Sequence, residues 1–392
     1  MSRLYRRRVI RTIIFTVSIL IVFMSEPAYA EGEQLSTFAK AAVVIDKASG
    51  RVLYNHNGDW ELPMASTTKI MTGYVAVKYG TLSDIIEVSE TAAAVEGSSM
   101  YLEKGEKISL ENLIKGLMIV SGNDAAVAIA ENVGGSVERF VEMMNETAAN
   151  DMGLKHTHFD NPNGLPSDTH YTTALELAEI TRYAMDDPKF CEIVSTKSIS
   201  IPWDGHEYNR ELKNHNKLLG TLDGCIGVKT GYTQAAGRCL VSAVKRGDMT
   251  LICVTLSDPN DWADHTSLQN AMFEKYKPNE LTTTDKVIDK IVVAGGLLGY
   301  TGVSADKAYT FPTCSEDDIK VDTGINENLK FPIKAGDVVG HGMVTVNGEK
   351  YGEFNLTAGD DIDLVMPGKE NFWGRLKQNM DYIFGYWLKK VK

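Results

Sequence analysis

The feature that most constrains the fold of this chain is a run of helical patterns enclosed between strand-like segments. The enclosing segments are apolar and extended in pattern, and they are residues 41–57, Ile226–Val228, Cys239–Val244 and Met249–Leu256. Between them, apolar residues recur at helical spacing over residues 66–80, 109–133, 136–152 and Thr172–Met185. Because the strands are grouped apart from the helices, the sequence predicts an α+β domain whose antiparallel sheet holds an inserted helical subdomain.

Local signals mark where several of these elements begin and end. Ser109 and Ser136 precede two of the helical patterns and are predicted N-caps, because a serine hydroxyl accepts a hydrogen bond from a first-turn backbone N–H. Lys245-Arg246-Gly247-Asp248 predicts a hairpin turn between the last two strands. Residues 159–171 are rich in Asn, Pro and Gly and predict a loop.

The chain changes character around Lys277-Pro278-Asn279. Residues 281–368 are short Val- and Thr-rich segments broken by Gly, Asp and Asn, which predicts a small all-β domain. From Glu370 to Lys392, apolar residues recur at three- and four-residue steps beside several lysines. A basic, aromatic and amphipathic helix of this kind, at residues 370–392, is typical of an anchor on a membrane surface. The alternative is a terminal helix that docks on the β domain.

Residues 1–30 have the pattern of a secretory signal peptide. Five arginines precede the apolar stretch Ile13–Met24. Ala28-Tyr29-Ala30 then offers small residues for cleavage after Ala30. An uncleaved membrane anchor is the alternative, although an apolar core of about twelve residues is too short to span a bilayer comfortably. We therefore expect an exported protein that lies peripherally at the extracytoplasmic face of the cell membrane.

The charge balance excludes one class of partner. The chain carries 40 basic and 52 acidic residues, and removal of residues 1–30 takes away five arginines and Glu26, which leaves 35 and 51 and a net charge of −16. A nucleic-acid-binding protein would normally show a basic face. We expect no nucleic-acid partner.

Neither a disulfide framework nor a metal site is indicated. The five cysteines are odd in number and none forms a CxxC pair, so we expect buried, reduced thiols. His156 and His158 could share a strand face, but no third ligand is evident and no HExxH pattern occurs. We expect no metal and no cofactor.

The first chemical signal is Ser66-Thr67-Thr68-Lys69, at the start of a predicted helix. A serine hydroxyl needs a base within hydrogen-bond reach to act as a nucleophile. Residues three apart lie on one helix face, so Lys69 could be that base if burial or a neighbouring cation lowers its pKa. Alone, such a pair is more often a helix cap and a surface charge.

Two further motifs are weak when taken alone. In Ser121-Gly122-Asn123 the hydroxyl can relay a proton and the amide can donate to a carbonyl, while a turn or a helix break is the alternative. Lys229-Thr230-Gly231 follows the predicted strand Ile226–Val228 and offers a charge, a hydroxyl and a glycine that permits close backbone approach. An extended substrate could pair beside this strand edge, with the N–H of Tyr232 in an oxyanion hole.

In this order the three motifs resemble the S-x-x-K, S-D-N and K-T-G set of penicillin-binding proteins and serine β-lactamases. The flanking segments Pro63–Thr72, Met118–Ala126, Phe159–Leu165 and Gly227–Thr233 resemble the low-molecular-mass D-alanyl-D-alanine carboxypeptidases of peptidase family S11. The resemblance runs from about residue 35 to the C-terminus. It implies a β-lactamase/transpeptidase-like D,D-peptidase domain over residues 31–278, and a peptidoglycan stem peptide ending in D-Ala-D-Ala as substrate.

The resemblance also implies a role for each motif residue. Ser66 would attack the penultimate D-Ala carbonyl to form an acyl-enzyme, Lys69 would accept its proton, and Ser121 would pass a proton to the leaving D-Ala. The residues implied to bind the substrate are Asn123, Lys229, Thr230, Gly231 and Tyr232. Penicillin and other β-lactams would acylate Ser66 by mimicking the substrate.

Two departures from the family pattern leave questions open. Gly122 stands where the general set has Asp, and Arg238, which starts a strand and could face solvent, is one candidate for the arginine that some relatives use to bind the carboxylate. Three alternatives also remain: a D,D-endopeptidase with the same residues, a serine β-lactamase, and a non-catalytic penicillin-binding sensor. A class A β-lactamase would need a glutamate that activates water, which residues 159–171 do not clearly supply.

Overall fold

Two distant parts of the chain build a five-stranded antiparallel sheet, as the sequence predicts. The structure, a computed structural model, describes residues 35–293, 299–330 and 332–362. The strands up to residue 256 are β1 (Ala41–Asp46), β2 (Val52–His56), β3 (Ile85–Glu87), β4 (Lys107–Ser109), β5 (Ser198–Ile201), β6 (Arg210–Lys213), β7 (Cys225–Thr233), β8 (Gly237–Arg246) and β9 (Met249–Leu256). The sheet order is β2-β1-β9-β8-β7, while β3 pairs with β4 and β5 with β6 in separate hairpins. Strand β7 therefore lies at an edge of the sheet.

Helices form at each of the predicted apolar periods, and further helices form where none was predicted. After a 3₁₀ turn at Ala65–Thr68, they are α1 (Lys69–Tyr79), α2 (Glu90–Ala93), α3 (Leu110–Ile119), α4 (Asn123–Val133), α5 (Val137–Glu146), α6 (Ala174–Ala184), α7 (Pro188–Ser195), α8 (Leu218–Thr221) and α9 (Asp261–Lys275). The Ser109 and Ser136 hydroxyls accept the expected capping hydrogen bonds. The helical pattern over 109–133 belongs to two helices, because the chain breaks between α3 and α4, where Ser121 adopts a φ of 62°.

Helix α1 lies in the centre of the helical subdomain. Most of its residues are buried, and it packs against α3, α4 and α6. Gly73 permits one of these contacts, since a Cβ there would lie 3.1 Å from the Phe190 ring and 3.3 Å from the Met118 sulfur. A helix buried on most sides is held by its neighbours. The position of its first residue, Lys69, is therefore fixed by packing.

Helices cover both faces of the central strands. Helix α6 packs against β1 and β9 on the face that carries Val43 and Val254. The neighbouring residue Thr255 points to the opposite face, because side chains alternate along a strand, and there it contacts His265 of α9. Burial on two faces explains why Ala41–Ile45 is continuously apolar.

The C-terminal part forms the predicted all-β domain. Its strands are β10 (Lys277–Thr282), β11 (Asp289–Val293), β12 (Gly299–Ala305), β13 (Tyr309–Thr313), β14 (Ile319–Ile325), β15 (Val338–Val346) and β16 (Glu349–Ala358). A five-stranded sheet has the order β11-β12-β16-β15-β14, and β10 pairs with β13. The segments predicted at Val338–Val339 and Gly342–Val346 are one strand with a bulge. The buried side chains Val303, Val344 and Leu356 belong to its apolar core.

Two predicted segments lie outside the described residues, namely the signal peptide at 1–30 and the amphipathic helix at 370–392. None of the helices in the described ranges combines the length and the apolar character that crossing a bilayer requires.

A buried ion pair connects the sheet to the β domain. Arg51, which directly precedes β2, bonds both carboxylate oxygens of Asp317, with Nη1–Oδ2 and Nη2–Oδ1 distances of 2.8 and 2.5 Å. Its Nη1 also donates to the Pro312 carbonyl, and its guanidinium lies 5.0 Å from the centre of the Tyr276 ring. The hydrogen bonds from Arg51 hold the pKa of the Asp317 carboxyl well below its usual range. Removing one partner would leave a buried, unpaired charge.

We expect Arg51→Met to lower the free energy of unfolding by roughly 3–5 kcal/mol at pH 7, because Asp317 loses its cation. The loss should shrink progressively as the pH falls below about 4. The unfolded Asp317 carboxyl then takes up a proton, so the ion pair of the native state contributes less and less to the free energy of unfolding. Urea unfolding followed by circular dichroism measures both effects. The control is Lys275→Met, which removes an exposed pair with Glu316 and should cost less than about 1 kcal/mol. Equal losses in the two variants would contradict the assignment.

Candidate active site

The Ser66 hydroxyl and the Lys69 amine are neighbours, as the three-residue spacing predicts. Ser66 lies in the 3₁₀ turn Ala65–Thr68, and Lys69 is the first residue of α1. Lys69 Nζ donates to Ser66 Oγ across 3.0 Å. This is the distance at which a lysine, once neutral, can accept the serine proton.

Lys69 is completely buried, yet its amine is satisfied by oxygen atoms. Besides Ser66 Oγ, Nζ donates to Asn123 Oδ1 at 2.8 Å and to the carbonyl of Asn163. Burial, together with the positive charge of Lys229, holds the pKa of the Lys69 amine well below its usual value. The site therefore favours the neutral amine, which is the form that a general base requires.

Ser121 and Asn123 reach the site from the break between α3 and α4. Asn123 is held at both ends of its amide, since Oδ1 accepts from Lys69 and Nδ2 donates to the Glu96 carbonyl at 2.7 Å. Ser121 is buried, and its hydroxyl has no hydrogen-bond partner in the described ranges. An unpartnered hydroxyl at this position is available to a substrate group.

The third motif lies inside a strand, which corrects the prediction that it follows one. Lys229, Thr230 and Gly231 belong to β7, the edge strand that continues to Thr233. Lys229 is buried, its Nζ donates to the Thr230 carbonyl at 2.8 Å, and burial lowers the pKa of its amine to about 7. A Cβ on Gly231 would lie 3.0 Å from Ser66 N. Glycine is thus required because the nucleophile's own backbone approaches the strand here.

These groups surround one cleft of about 270 Å³. Its described lining residues are Ser66, Ser98, Ser121, His215, Thr230, Gly231, Tyr232, Arg238, Asp261 and Trp262. The other motif residues, Lys69, Asn123 and Lys229, are buried next to it. The structure therefore brings together the candidate catalytic and substrate-binding residues of the three motifs.

Arg238 lines this cleft as well, although its position at the start of β8 left solvent exposure as an alternative. It pairs with Tyr232 across the β7–β8 ladder, and its Nη2 bonds Asp261 Oδ1 at 2.7 Å. Its side chain is 42% exposed. A half-exposed guanidinium held by one carboxylate keeps free N–H groups for an anionic ligand.

The loop at 159–171 supports the nucleophile, a role that sequence reasoning missed. The Asn163 carbonyl accepts from Lys69, and the Pro162 carbonyl accepts from Thr72 Oγ1 at 2.6 Å. Gly164 has a φ of 86°, and a Cβ there would lie 2.0 Å from the Ala65 carbonyl oxygen. The Asn-Pro-Asn-Gly sequence signals a turn, but nothing in it identifies its partner.

His170 extends this support through a chain of three hydrogen bonds. Asp160 N donates to His170 Nδ1 at 3.0 Å, so the ring proton must reside on Nε2, which donates to Thr68 Oγ1 at 2.7 Å. Thr68 Oγ1 in turn donates to the Ala65 carbonyl at 2.8 Å. Burial lowers the pKa of His170 to about 4, which keeps this neutral form at ordinary pH. An isolated histidine carries no sequence signal for such a position.

A buried lysine beside a serine, at the edge of an antiparallel sheet, defines a serine acyl-transfer enzyme. A family model described as D-alanyl-D-alanine carboxypeptidase matches residues 28–260, and one described as penicillin-binding protein 5, C-terminal domain, matches residues 276–364. The chain belongs to the D-alanyl-D-alanine carboxypeptidase family, peptidase S11.

Relatives from several bacteria agree with this assignment. D-alanyl-D-alanine carboxypeptidase DacF of Bacillus subtilis (strain 168) is 32% identical, over 98% of this chain and 99% of its own length. D-alanyl-D-alanine carboxypeptidase DacC of Escherichia coli (strain K12) is 30% identical over 94% of both chains. The crystal structure of penicillin binding protein 5 from Haemophilus influenzae has a TM-score of 0.69 and 28% identity, and the match covers 84% of this chain and 98% of that one.

We expect His170→Asn to slow acylation by penicillin about ten-fold, because it retains an acceptor for Asp160 N–H but loses the donor to Thr68. His170→Gln should acylate at nearly the wild-type rate, because its amide nitrogen lies close to the position of Nε2. Stopped-flow acylation kinetics and melting temperatures distinguish positioning from packing. If the acylation rates of both variants fall in proportion to their melting temperatures, His170 contributes to packing and does not position the nucleophile's turn.

Proposed function

We propose that this serine-type D-alanyl-D-alanine carboxypeptidase removes the terminal D-Ala from peptidoglycan stem pentapeptides through an acyl-enzyme on Ser66. The observation that carries the proposal is the 3.0 Å contact between Ser66 Oγ, which lines the cleft, and the fully buried Lys69 Nζ beside it. Family membership supports the substrate class.

In the acylation step, neutral Lys69 accepts the Ser66 proton as Oγ attacks the carbonyl carbon of the penultimate D-Ala. The backbone N–H groups of Ser66 and Tyr232 stabilise the developing oxyanion. The close approach of Gly231 to Ser66 N supports this pairing of donors. A substrate strand pairs along the exposed edge of β7.

The collapse of the tetrahedral intermediate breaks the C–N bond and forms the serine ester. Ser121, whose buried hydroxyl has no partner in the described ranges, passes its proton to the leaving D-Ala nitrogen and takes up in exchange the proton that Lys69 received from Ser66, so that Lys69 is neutral again. Water then attacks the ester carbonyl and gives a proton to neutral Lys69, which passes it to Ser66 Oγ as the ester C–O bond breaks, and this restores the Ser66 hydroxyl. Asn123 keeps Lys69 in position through its 2.8 Å hydrogen bond.

The terminal carboxylate of the substrate is held by positive charge. Lys229 and Thr230 supply a cation and a hydroxyl, and Arg238 faces the same cleft from β8. We assign Arg238 to this carboxylate, because its single bond to Asp261 leaves donors unused. β-Lactams present a carboxylate and a reactive carbonyl in the same relation, so penicillin acylates Ser66.

The domain layout and location extend the proposal. We assign residues 1–30 to a signal peptide, 31–278 to the D,D-peptidase domain, 281–368 to the β domain and 370–392 to an amphipathic helix on the membrane surface. One family model ends at residue 260 and the other begins at residue 276, which supports the boundary between the D,D-peptidase domain and the β domain. Peptidoglycan lies outside the cytoplasm, which supports export and a place at the extracytoplasmic face.

Ser66→Ala should reduce D-Ala release from a stem pentapeptide by roughly a thousand-fold or more, because no acyl-enzyme can form. The assay measures free D-Ala from the pentapeptide and, in parallel, cleavage of a cross-linked muropeptide. The control is Ser195→Ala, which removes a surface hydroxyl at the end of α7 and should leave both rates unchanged. Faster cleavage of the cross-linked substrate would favour an endopeptidase, and no release by wild type would favour a sensor.

The rate constant of penicillin acylation should fall as the pH rises above about 7. The reason is that the buried Lys229 amine, with a pKa of about 7, loses the charge that holds the carboxylate. Between pH 8 and pH 9 the charged fraction of Lys229 drops roughly ten-fold, and the part of the acylation rate constant that depends on this charge drops with it. Lys229→Arg keeps its charge and should move this descending limb to higher pH. If Lys229→Arg folds and its acylation rate constant still falls over the same pH range as in the wild type, the role of Lys229 is contradicted.

A further inference from the structure

A cluster of aromatic rings lies at the tip of the β5–β6 hairpin, outside the catalytic cleft. The rings of Trp203 and His206 have centroids 4.3 Å apart, and the Tyr208 ring lies 5.7 Å from Trp203 and 5.2 Å from His206. Tyr208 is 62% exposed. Rings that contact one another and still face water form a surface of apolar area with polar edges.

The tip of the hairpin is rigidly attached to the loop at residues 101–107. Arg210 bonds Glu106 twice, at 2.7 and 2.9 Å, with both side chains almost completely buried, and its guanidinium lies 4.3 Å from the Trp203 ring. Asp204 accepts a hydrogen bond from Lys107 N at 2.9 Å. The exposed rings are therefore held in place before any ligand arrives, which lowers the entropy lost on binding.

Tyr101 adds a fourth ring and an unusual backbone conformation. It is 75% exposed and has a φ of 63°, a region that bulky residues seldom adopt. Its carbonyl accepts from Arg210 Nη2 at 2.9 Å, and its N–H donates to Ser99 Oγ at 2.7 Å. Such strain persists where the surroundings impose it, often at ligand-binding sites. The four rings, Tyr101, Trp203, His206 and Tyr208, are called the aromatic rim below.

One ring of the aromatic rim, that of Tyr101, lies close to the cleft along the chain. Ser98 lines the cleft together with Ser66, and Tyr101 follows it by three residues, which is at most about 11 Å of chain. In a stem pentapeptide, three residues separate the penultimate D-Ala from the sugar, a similar extended length. A stem peptide that acylates Ser66 is therefore of a length that can carry its sugar as far as Tyr101.

We propose that the aromatic rim is a subsite for the glycan strand, on which a sugar ring of the peptidoglycan stacks while the stem peptide occupies the cleft. The proposal rests on the proposed function and names a further part of its substrate. The apolar C–H face of a sugar fits an exposed aromatic ring, and its hydroxyl and amide groups fit the polar side chains Asp204, Glu207 and Asn209 at the hairpin tip. This subsite distinguishes glycan-linked stem peptides from free ones.

The test compares two substrates, a free pentapeptide and the same pentapeptide linked to its disaccharide. In Tyr208→Ala, and in Tyr101→Gly, which suits the positive φ and so keeps the loop folded, kcat/KM for the disaccharide substrate should fall roughly three- to ten-fold. The value for the free pentapeptide should stay within two-fold. The matched control is Tyr79→Ala, a half-exposed tyrosine at the end of α1, which should change neither value.

Equal losses on both substrates, or no loss on either, would overturn the glycan subsite while leaving the proposed function intact. A wild-type chain that hydrolyses neither substrate would instead overturn the proposed function. Titration with an N-acetylglucosamine oligomer, followed by intrinsic fluorescence, decides the subsite in that case too. Saturable binding that Tyr208→Ala weakens supports it, and absence of binding to the wild-type chain overturns it.

Discussion

The burial of the Lys69 amine beside the Ser66 hydroxyl is the interaction on which the rest of the active site depends. A lysine deprived of water strongly disfavours its charged form, and the positive charge of Lys229 acts in the same direction. Oxygen atoms of Ser66, Asn123 and Asn163 satisfy the amine, so burial does not leave it unpaired. The arrangement favours a neutral amine next to the serine hydroxyl at pH values where free lysine would be charged, which is what the proposed roles of base and nucleophile require.

This arrangement needs parts of the chain that are far apart in sequence. The 3₁₀ turn supplies Ser66, the break before α4 supplies Asn123, the loop at 159–171 supplies the Asn163 carbonyl, and the edge strand β7 supplies Lys229. Two glycines permit the required contacts, since a side chain at Gly164 or Gly231 would collide with the backbone of the nucleophile's turn. The sheet, the helical subdomain and the loop therefore act together to hold one short turn.

The sequence predicts much of this fold because its signals are local. Alternating and helical apolar patterns locate β1, β8 and β9 and most helices, and the serine caps identify helix starts. The three motifs provide the residues that we propose for the site. Contacts between distant residues leave no comparable pattern, which is why His170 and the Arg51–Asp317 pair were not predicted and the position of Arg238 was left open. The break at Ser121 was only one of the alternatives that the sequence offered, because the apolar period continues across it.

The most direct test of the central claim is mass spectrometry after brief exposure to penicillin, with the adduct located by digestion. The wild-type chain should carry one penicilloyl group on Ser66, formed rapidly at neutral pH. Lys69→Met, which keeps the side-chain length but lacks the amine, should form it far more slowly. An adduct on another residue, or an unchanged rate in Lys69→Met, would contradict the claim that a buried neutral lysine activates this serine.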